Sequence, residues 1–209
     1  MKIKKVCHCF GAGEFFGLCE PVKDNDIVIA ADGGLETLKK CGITPHFVIG
    51  DFDSLGSVPE GGNVQLLPCE KDTTDMFETA ALGVKQGCGT IHLYGGTGGR
   101  LDHTLANIQL LKYFSEKGVP TFLHGDGFSV TAVTDGGISL SGKKGGYVSV
   151  FALSDKCEGV TLRNLKYELE NHTLTNSFPL GVSNEFTEKE AEISVKKGTL
   201  AVYYTKGTD

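Results

Sequence analysis

The strongest constraint on the fold is a change of periodicity part-way along the chain. Up to about residue 124, short apolar runs alternate with segments of helical spacing. Val6–Phe10, Asp26–Ala31, His46–Gly50, Asn63–Pro68, Thr90–Tyr94 and Val119–His124 are runs of buried-strand type. Between them, Leu35–Cys41, Asp72–Gly87 and Asp102–Lys117 carry apolar residues at helical spacing, and Gly42, Gly87 and Gly118 stand where helices end. On the last of these, Leu105, Ile108, Leu111 and Phe114 are expected to form the buried stripe. Strands that alternate with helices predict a mostly parallel sheet with helices on both faces.

Beyond Gly125 the pattern is different. Ser129–Thr134, Gly137–Leu140, Tyr147–Leu153, Gly159–Leu165, Glu192–Lys196 and Leu200–Tyr204 are short alternating runs with Gly, Asn, Asp and Lys between them, and no amphipathic helix follows. The expected architecture is an α/β domain over residues 1–125 and a smaller all-β, sandwich-like domain over 126–209.

Charge narrows the functional classes. The 209 residues carry a net charge of −6, which repels nucleic acid and anionic membrane, so any phosphate bound should be small and locally compensated. No apolar run approaches the roughly 20 residues of a membrane span. The seven Cys fit no zinc spacing. In Cys7-His8-Cys9, adjacent strand residues face opposite sides, so His8 should point away from both thiols. Reduced, buried thiols and a cytoplasmic location are expected.

In parallel sheets, ligands bind beyond the carboxyl ends of the strands. Each polar cluster of the first domain falls at such an end: Asp32-Gly33-Gly34, Gly50-Asp51-Phe52-Asp53-Ser54, Lys71-Asp72-Thr73-Thr74-Asp75 and Gly95-Gly96-Thr97-Gly98-Gly99-Arg100-Leu101-Asp102-His103. Asp51 and Asp53 are close like charges that a hard cation such as Mg²⁺ would relieve. Asp72 suits a helix N-cap, with Asp75 at capping-box spacing, and Asp75 is also placed to be a third metal or substrate carboxylate. The glycine stretch is neither a Walker loop nor a dinucleotide fingerprint. Its N–H groups can still cradle phosphate, with Arg100 adding a bidentate contact. Ser183 and Asn184, in Gly181–Phe186, either form a hairpin turn or read a heteroaromatic ring.

Together GDFDS at 50–54, KDTTD at 71–75, GGTGGRLDH at 95–103 and GVSNEF at 181–186 resemble the bacterial thiamine pyrophosphokinases over almost the whole chain. The resemblance implies Mg²⁺-dependent transfer of a pyrophosphoryl group from ATP to the hydroxyl of thiamine, giving thiamine diphosphate and AMP. It implies a homodimer with active sites shared between the α/β domain of one chain and the β domain of the other. It would give Asp51, Asp53 and Asp75 the metal, and Asp32, Gly33, Gly34, Gly95–Gly99, Arg100, Asp102 and His103 the ATP. Asp75, Ser183 and Asn184 would meet thiamine, and Arg100 and Asp102 would join the three metal carboxylates in catalysis. Phe77 stands where the family often has an acidic residue, and the chain has no Trp to stack on thiamine. Two alternatives remain at this level. One is a haloacid-dehalogenase-like phosphatase with Asp51 as nucleophile and Asp53 as acid/base, although that motif normally sits on a first strand. The other is a non-catalytic nucleotide- or thiamine-binding protein.

Overall fold

A computed structural model describes residues 5–50, 63–66 and 72–205, the 63–66 stretch by its backbone alone. The chain forms two compact units, one of residues 1–107 and 123–125, the other of residues 108–122 and 126–209. The elements in order are β1 (Lys5–Phe10), β2 (Ile27–Ala31), α1 (Gly34–Lys40), β3 (Phe47–Gly50), β4 (Asn63–Leu66), α2 (Asp75–Lys85), β5 (Cys88–Tyr94), α3 (Leu101–Ser115) and β6 (Thr121–His124). Then come β7 (Phe128–Thr134), β8 (Gly137–Leu140), β9 (Tyr147–Ala152), β10 (Lys156–Arg163), β11 (Leu169–Thr175), β12 (Asn184–Glu185), β13 (Ala191–Ser194) and β14 (Thr199–Thr205).

In the first unit the strands run β5-β1-β2-β3-β4, all parallel. Alternation along β1 sorts its side chains onto two faces. Phe10 points to the face where Val28, Ala30, Val48 and Tyr94 meet Leu35 and Leu38 of α1. Cys7 and Cys9 point to the other, with Sγ atoms 3.5 Å apart, and Cys7 lies against Gly83 of α2. So helices cover both faces, as the sequence pattern predicts. None of the six Cys among the described residues is in a disulfide.

His8 lies on the Phe10 face, away from the thiols. Its Nε2 is 3.3 Å from Asp26 Oδ2, and it stacks on its cross-strand partner His92 at 5.5 Å between ring centroids. His92 Nδ1 is in turn 2.8 Å from His124 Nε2. Asp26 also accepts from the backbone N–H of Val6 and Lys23. A buried carboxylate holds its charge only with such partners. Burial alone would raise the Asp26 pKa, but the N–H groups of Lys23 and Val6 and the His8 contact outweigh it and bring it below the usual range.

The second unit is antiparallel throughout. One ladder runs β7-β14-β9-β12, and a separate sheet runs β11-β10-β13-β8. Both contribute to one core, in which Val148 and Val150 of β9 and Leu200 and Val202 of β14 meet Val160 and Leu162 of β10 and Ile193 of β13. Two sheets closing one apolar layer make a sandwich.

Three details differ from the sequence reading. The unit division passes inside α3 and β6 rather than at residue 125. β11 and β12 had no visible pattern, since β11 is mostly exposed and β12 has two residues. The buried stripe of α3 is made by Asn107, Leu110, Leu111 and Phe114, whereas Leu105 is 55% exposed.

The buried imidazoles set a pH dependence. Desolvation, helped by the nearby His8, lowers the His92 pKa from 6.5 to about 4. The folded state therefore resists the proton that the unfolded chain accepts. This share of stability is complete above the unfolded pKa and is lost as pH falls from 6.5 toward 4. Denaturant titrations should show a loss of about 3 kcal/mol from this residue by pH 4, and His92→Gln should remove that part of the slope.

Candidate active site

A cleft of about 560 Å³ opens at the carboxyl ends of the first unit's strands. Its wall begins where β1 and β5 end. Gly11 N–H donates to Tyr94 O at 2.8 Å, and Gly13 N–H to Gly95 O at 2.9 Å. Gly95 has φ +64°, and a Cβ there would lie 2.5 Å from Gly11 O, so both conformation and space demand glycine. This seam carries Gly11–Glu14 on one side and the turn of Gly95, Gly96, Gly98 and Gly99 on the other, and both segments line the cleft.

Asp32 follows β2 with φ 43° and lines the cleft. A Cβ on Gly50 would overlap Asp32 Oδ1, so this carboxylate rests on the residue that leads into Asp51. Asp75 lines the cleft from the first position of α2. The cap of that helix is Thr74, not Asp72: Thr74 has extended backbone and its side chain accepts from Phe77 N–H at 3.2 Å. Asp75 is thereby placed at the positive end of the helix, facing the cleft. Arg100 and His103 line it from the start of α3.

Other predicted residues stand apart. Gly33 and Gly34 enter α1 and do not line the cleft, and neither does Thr97, which is buried. Asp102 pairs with Arg100, accepting at 3.2 Å from Nε and at 2.6 Å from the guanidinium terminus. That hydrogen bond holds the exposed Asp102 carboxyl below its usual range. Asp51 and Asp53 lie outside the described residues. Asp32 and Asp75 are hard oxygen donors on one cleft, the chemistry a magnesium-type cation uses. Among the described residues, no three or more His, Cys, Asp or Glu form a metal cluster.

In the second unit Ser183 is exposed, has φ 61°, and its N–H donates to Ser149 Oγ at 3.0 Å. Asn184 differs from the expectation. It is 5% exposed, and its amide accepts from the N–H groups of Tyr167 and Glu185 and donates to Tyr167 O. These bonds hold the segment in shape. Sequence reasoning also missed Gly11–Glu14, Ala31, Met76 and Asn107, which line the cleft. Only the Gly11-Ala12-Gly13 cluster after a strand offered a signal for them.

Comparison with known proteins bears on this arrangement. Residues 19–123 match the model described as thiamin pyrophosphokinase, catalytic domain, and residues 137–200 match its vitamin B1 binding domain. The chain belongs to the thiamin pyrophosphokinase family. It is similar to the thiamine pyrophosphokinase of Bacillus subtilis, with 29% identity over 184 residues, covering 85% of this chain and 86% of the relative. Crystal structures of thiamine pyrophosphokinases resemble it along their length. That from Bacillus subtilis has 26% identity and a TM-score of 0.84, covering 98% of this chain and 100% of that one. That from Geobacillus thermodenitrificans has 27% identity and a TM-score of 0.82, covering 98% and 99%. The chain is an enzyme of this family, transferring a pyrophosphoryl group from ATP to thiamine. Nothing supports a phosphatase with Asp51 as nucleophile. The Asp51 segment also follows β3, not a first strand.

Thr74 sets where Asp75 stands, so Thr74→Ala tests the placement. Losing the cap should cost about 1 kcal/mol of stability, measurable by denaturant unfolding.

Proposed function

We propose that the transfer takes place in the cleft of the first unit, with ATP along the Gly95–Gly99 turn and magnesium as the cofactor. One observation carries this reading: Asp32, Asp75, the glycine turn, Arg100 and His103 line a single cleft within the catalytic region of the family. Exposed N–H groups and a guanidinium suit phosphate, and the carboxylates suit the cation that phosphate brings. Asp51, Asp53 and Asp75 would hold the magnesium ion, which when bound neutralises charge on the phosphate oxygens.

The chain's own groups do the positioning. Asp32 and His103 bound the nucleotide. Asp102 orients the Arg100 guanidinium, and Arg100 offsets charge on the transferring group. The thiamine hydroxyl oxygen bonds to the β-phosphorus as the bond to the α-phosphate oxygen breaks, and AMP leaves. Of the two carboxylates that could accept the hydroxyl proton, Asp75 lines the cleft, whereas Asp102 does not and is held by Arg100, so Asp75 is the acceptor. Phosphoryl-type transfer asks for little covalent work by the protein, so alignment and charge compensation supply most of the rate. Thiamine binds within the part of the second unit that matches the vitamin B1 binding domain, residues 137–200, with Ser183 toward thiamine and Asn184 holding that segment in shape. A homodimer that shares its active sites completes the proposal. The absence of a disulfide among the described residues supports a cytoplasmic location, and no helix among them is long and apolar enough to cross a membrane.

Incubation with ATP, thiamine and Mg²⁺ should give AMP and thiamine diphosphate in equal amounts, and chelation should stop it. Asp75→Asn should lower kcat by roughly 100-fold or more. Release of ADP, or of phosphate without AMP, would contradict the reading. Full turnover by the Asp75→Asn protein would contradict the role given to Asp75.

A further inference from the structure

The stripe that α3 buries is Asn107, Leu110, Leu111 and Phe114, spaced i, i+3, i+4, i+7. Three positions are apolar and the fourth is an amide, 5% exposed, at the end nearest the cleft. An amide in such a place is costly unless it is hydrogen-bonded. Asn107 Nδ2 donates to Gly96 O at 2.8 Å. A carbonyl oxygen only accepts, so this contact fixes which way the amide faces.

Gly96 is closely held. A Cβ there would lie 2.7 Å from Leu123 Cδ1 and 2.9 Å from Asn107 Nδ2. Around it, Gly95, Gly98 and Gly99 all have positive φ. Glycines impose little preference of their own, so an outside tether must select one conformation of the turn. Because the peptide is planar and trans, fixing the Gly96 carbonyl also fixes the direction of the Thr97 N–H.

We infer that Asn107 is a positioning residue for the nucleotide: its amide holds the Gly96 carbonyl and so sets the glycine turn in the conformation that accepts ATP. This rests on the reading of that turn as the phosphate cradle. Asn107 on this account acts through Gly96 and not by touching the reacting atoms. Its loss should therefore weaken ATP binding more than it slows turnover at saturation.

The full-length protein and its Asn107→Leu and Asn107→Asp variants distinguish the possibilities. Calorimetric titration with Mg-ATP gives Kd, AMP formation gives kcat and KM, and denaturant unfolding gives stability. The leucine fills the stripe and removes the donor. Kd and KM for ATP should rise about 10-fold, as loss of one hydrogen bond allows, with kcat within about twofold. In the Asn107→Asp variant an ionised carboxylate would face the Gly96 carbonyl at about pH 8 and open the turn. Burial raises the pKa of that carboxyl, and once protonated it can donate again. Its Kd relative to the unsubstituted protein should thus recover as pH falls to about 5.5. A role confined to the core predicts lower stability in both variants, with unchanged Kd and no pH-dependent recovery, and that result overturns the inference. If the unsubstituted protein binds no ATP, the nucleotide reading fails and the inference with it. If it binds ATP and both variants bind equally well, only the inference fails.

Discussion

Main chain meets main chain where β1 and β5 end. The N–H groups of Gly11 and Gly13 donate to the carbonyls of Tyr94 and Gly95 and carry the pairing of the two strands past their last residues. No side chain separates the two segments, and a methyl group at Gly95 would collide with Gly11. The cleft depends on this seam, because both of its glycine-rich walls hang from it. Asp32 rests at the end of the neighbouring β2, over Gly50, and Asp75 is presented by the capped first turn of α2. Each of these groups is set by a strand end or a helix start, so the rigidity of the sheet passes directly to the site.

Much of the fold was legible because the strands of the first unit are buried on both sides. Ile27–Ala31, Phe47–Gly50 and Ile91–Tyr94 are nearly unbroken apolar runs, and such runs have few other solutions. β11 was illegible for the converse reason: its residues Glu170–Thr173 are exposed and show no alternation. Of the expected α3 stripe, Leu111 and Phe114 are buried and Leu105 is not. Leu101 and Leu105 are exposed, while Asn107 is inside because a carbonyl awaits it. Hydrophobic periodicity has no means of registering such a hydrogen bond.

The site was legible by chemistry and less so by geometry. Strand-end clustering brought Asp32, Asp75, the glycine turn, Arg100 and His103 to one place. It could not show that Thr74 rather than Asp72 caps α2, since both types suit a cap and only the turn's backbone decides. Nor could it show that the Asn184 amide is engaged with Tyr167. In both cases a polar side chain that looked available for a ligand, or for a cap, was already committed or idle. That distinction belongs to backbone conformation, which residue type only biases.

The division inside α3 has a consequence for how such a protein can be taken apart. The region that matches the catalytic model ends at residue 123, yet residues 108–122 belong to the second compact unit. Within that unit Lys112 donates to Leu153 O, and Ser115 to Ala132 O. A gene fragment ending at the catalytic boundary would leave the back half of the helix without the acceptors it uses. The catalytic match and the second compact unit therefore overlap over residues 108–122. Recombination that exchanged one thiamine-binding half for another would have to carry the end of this helix with it.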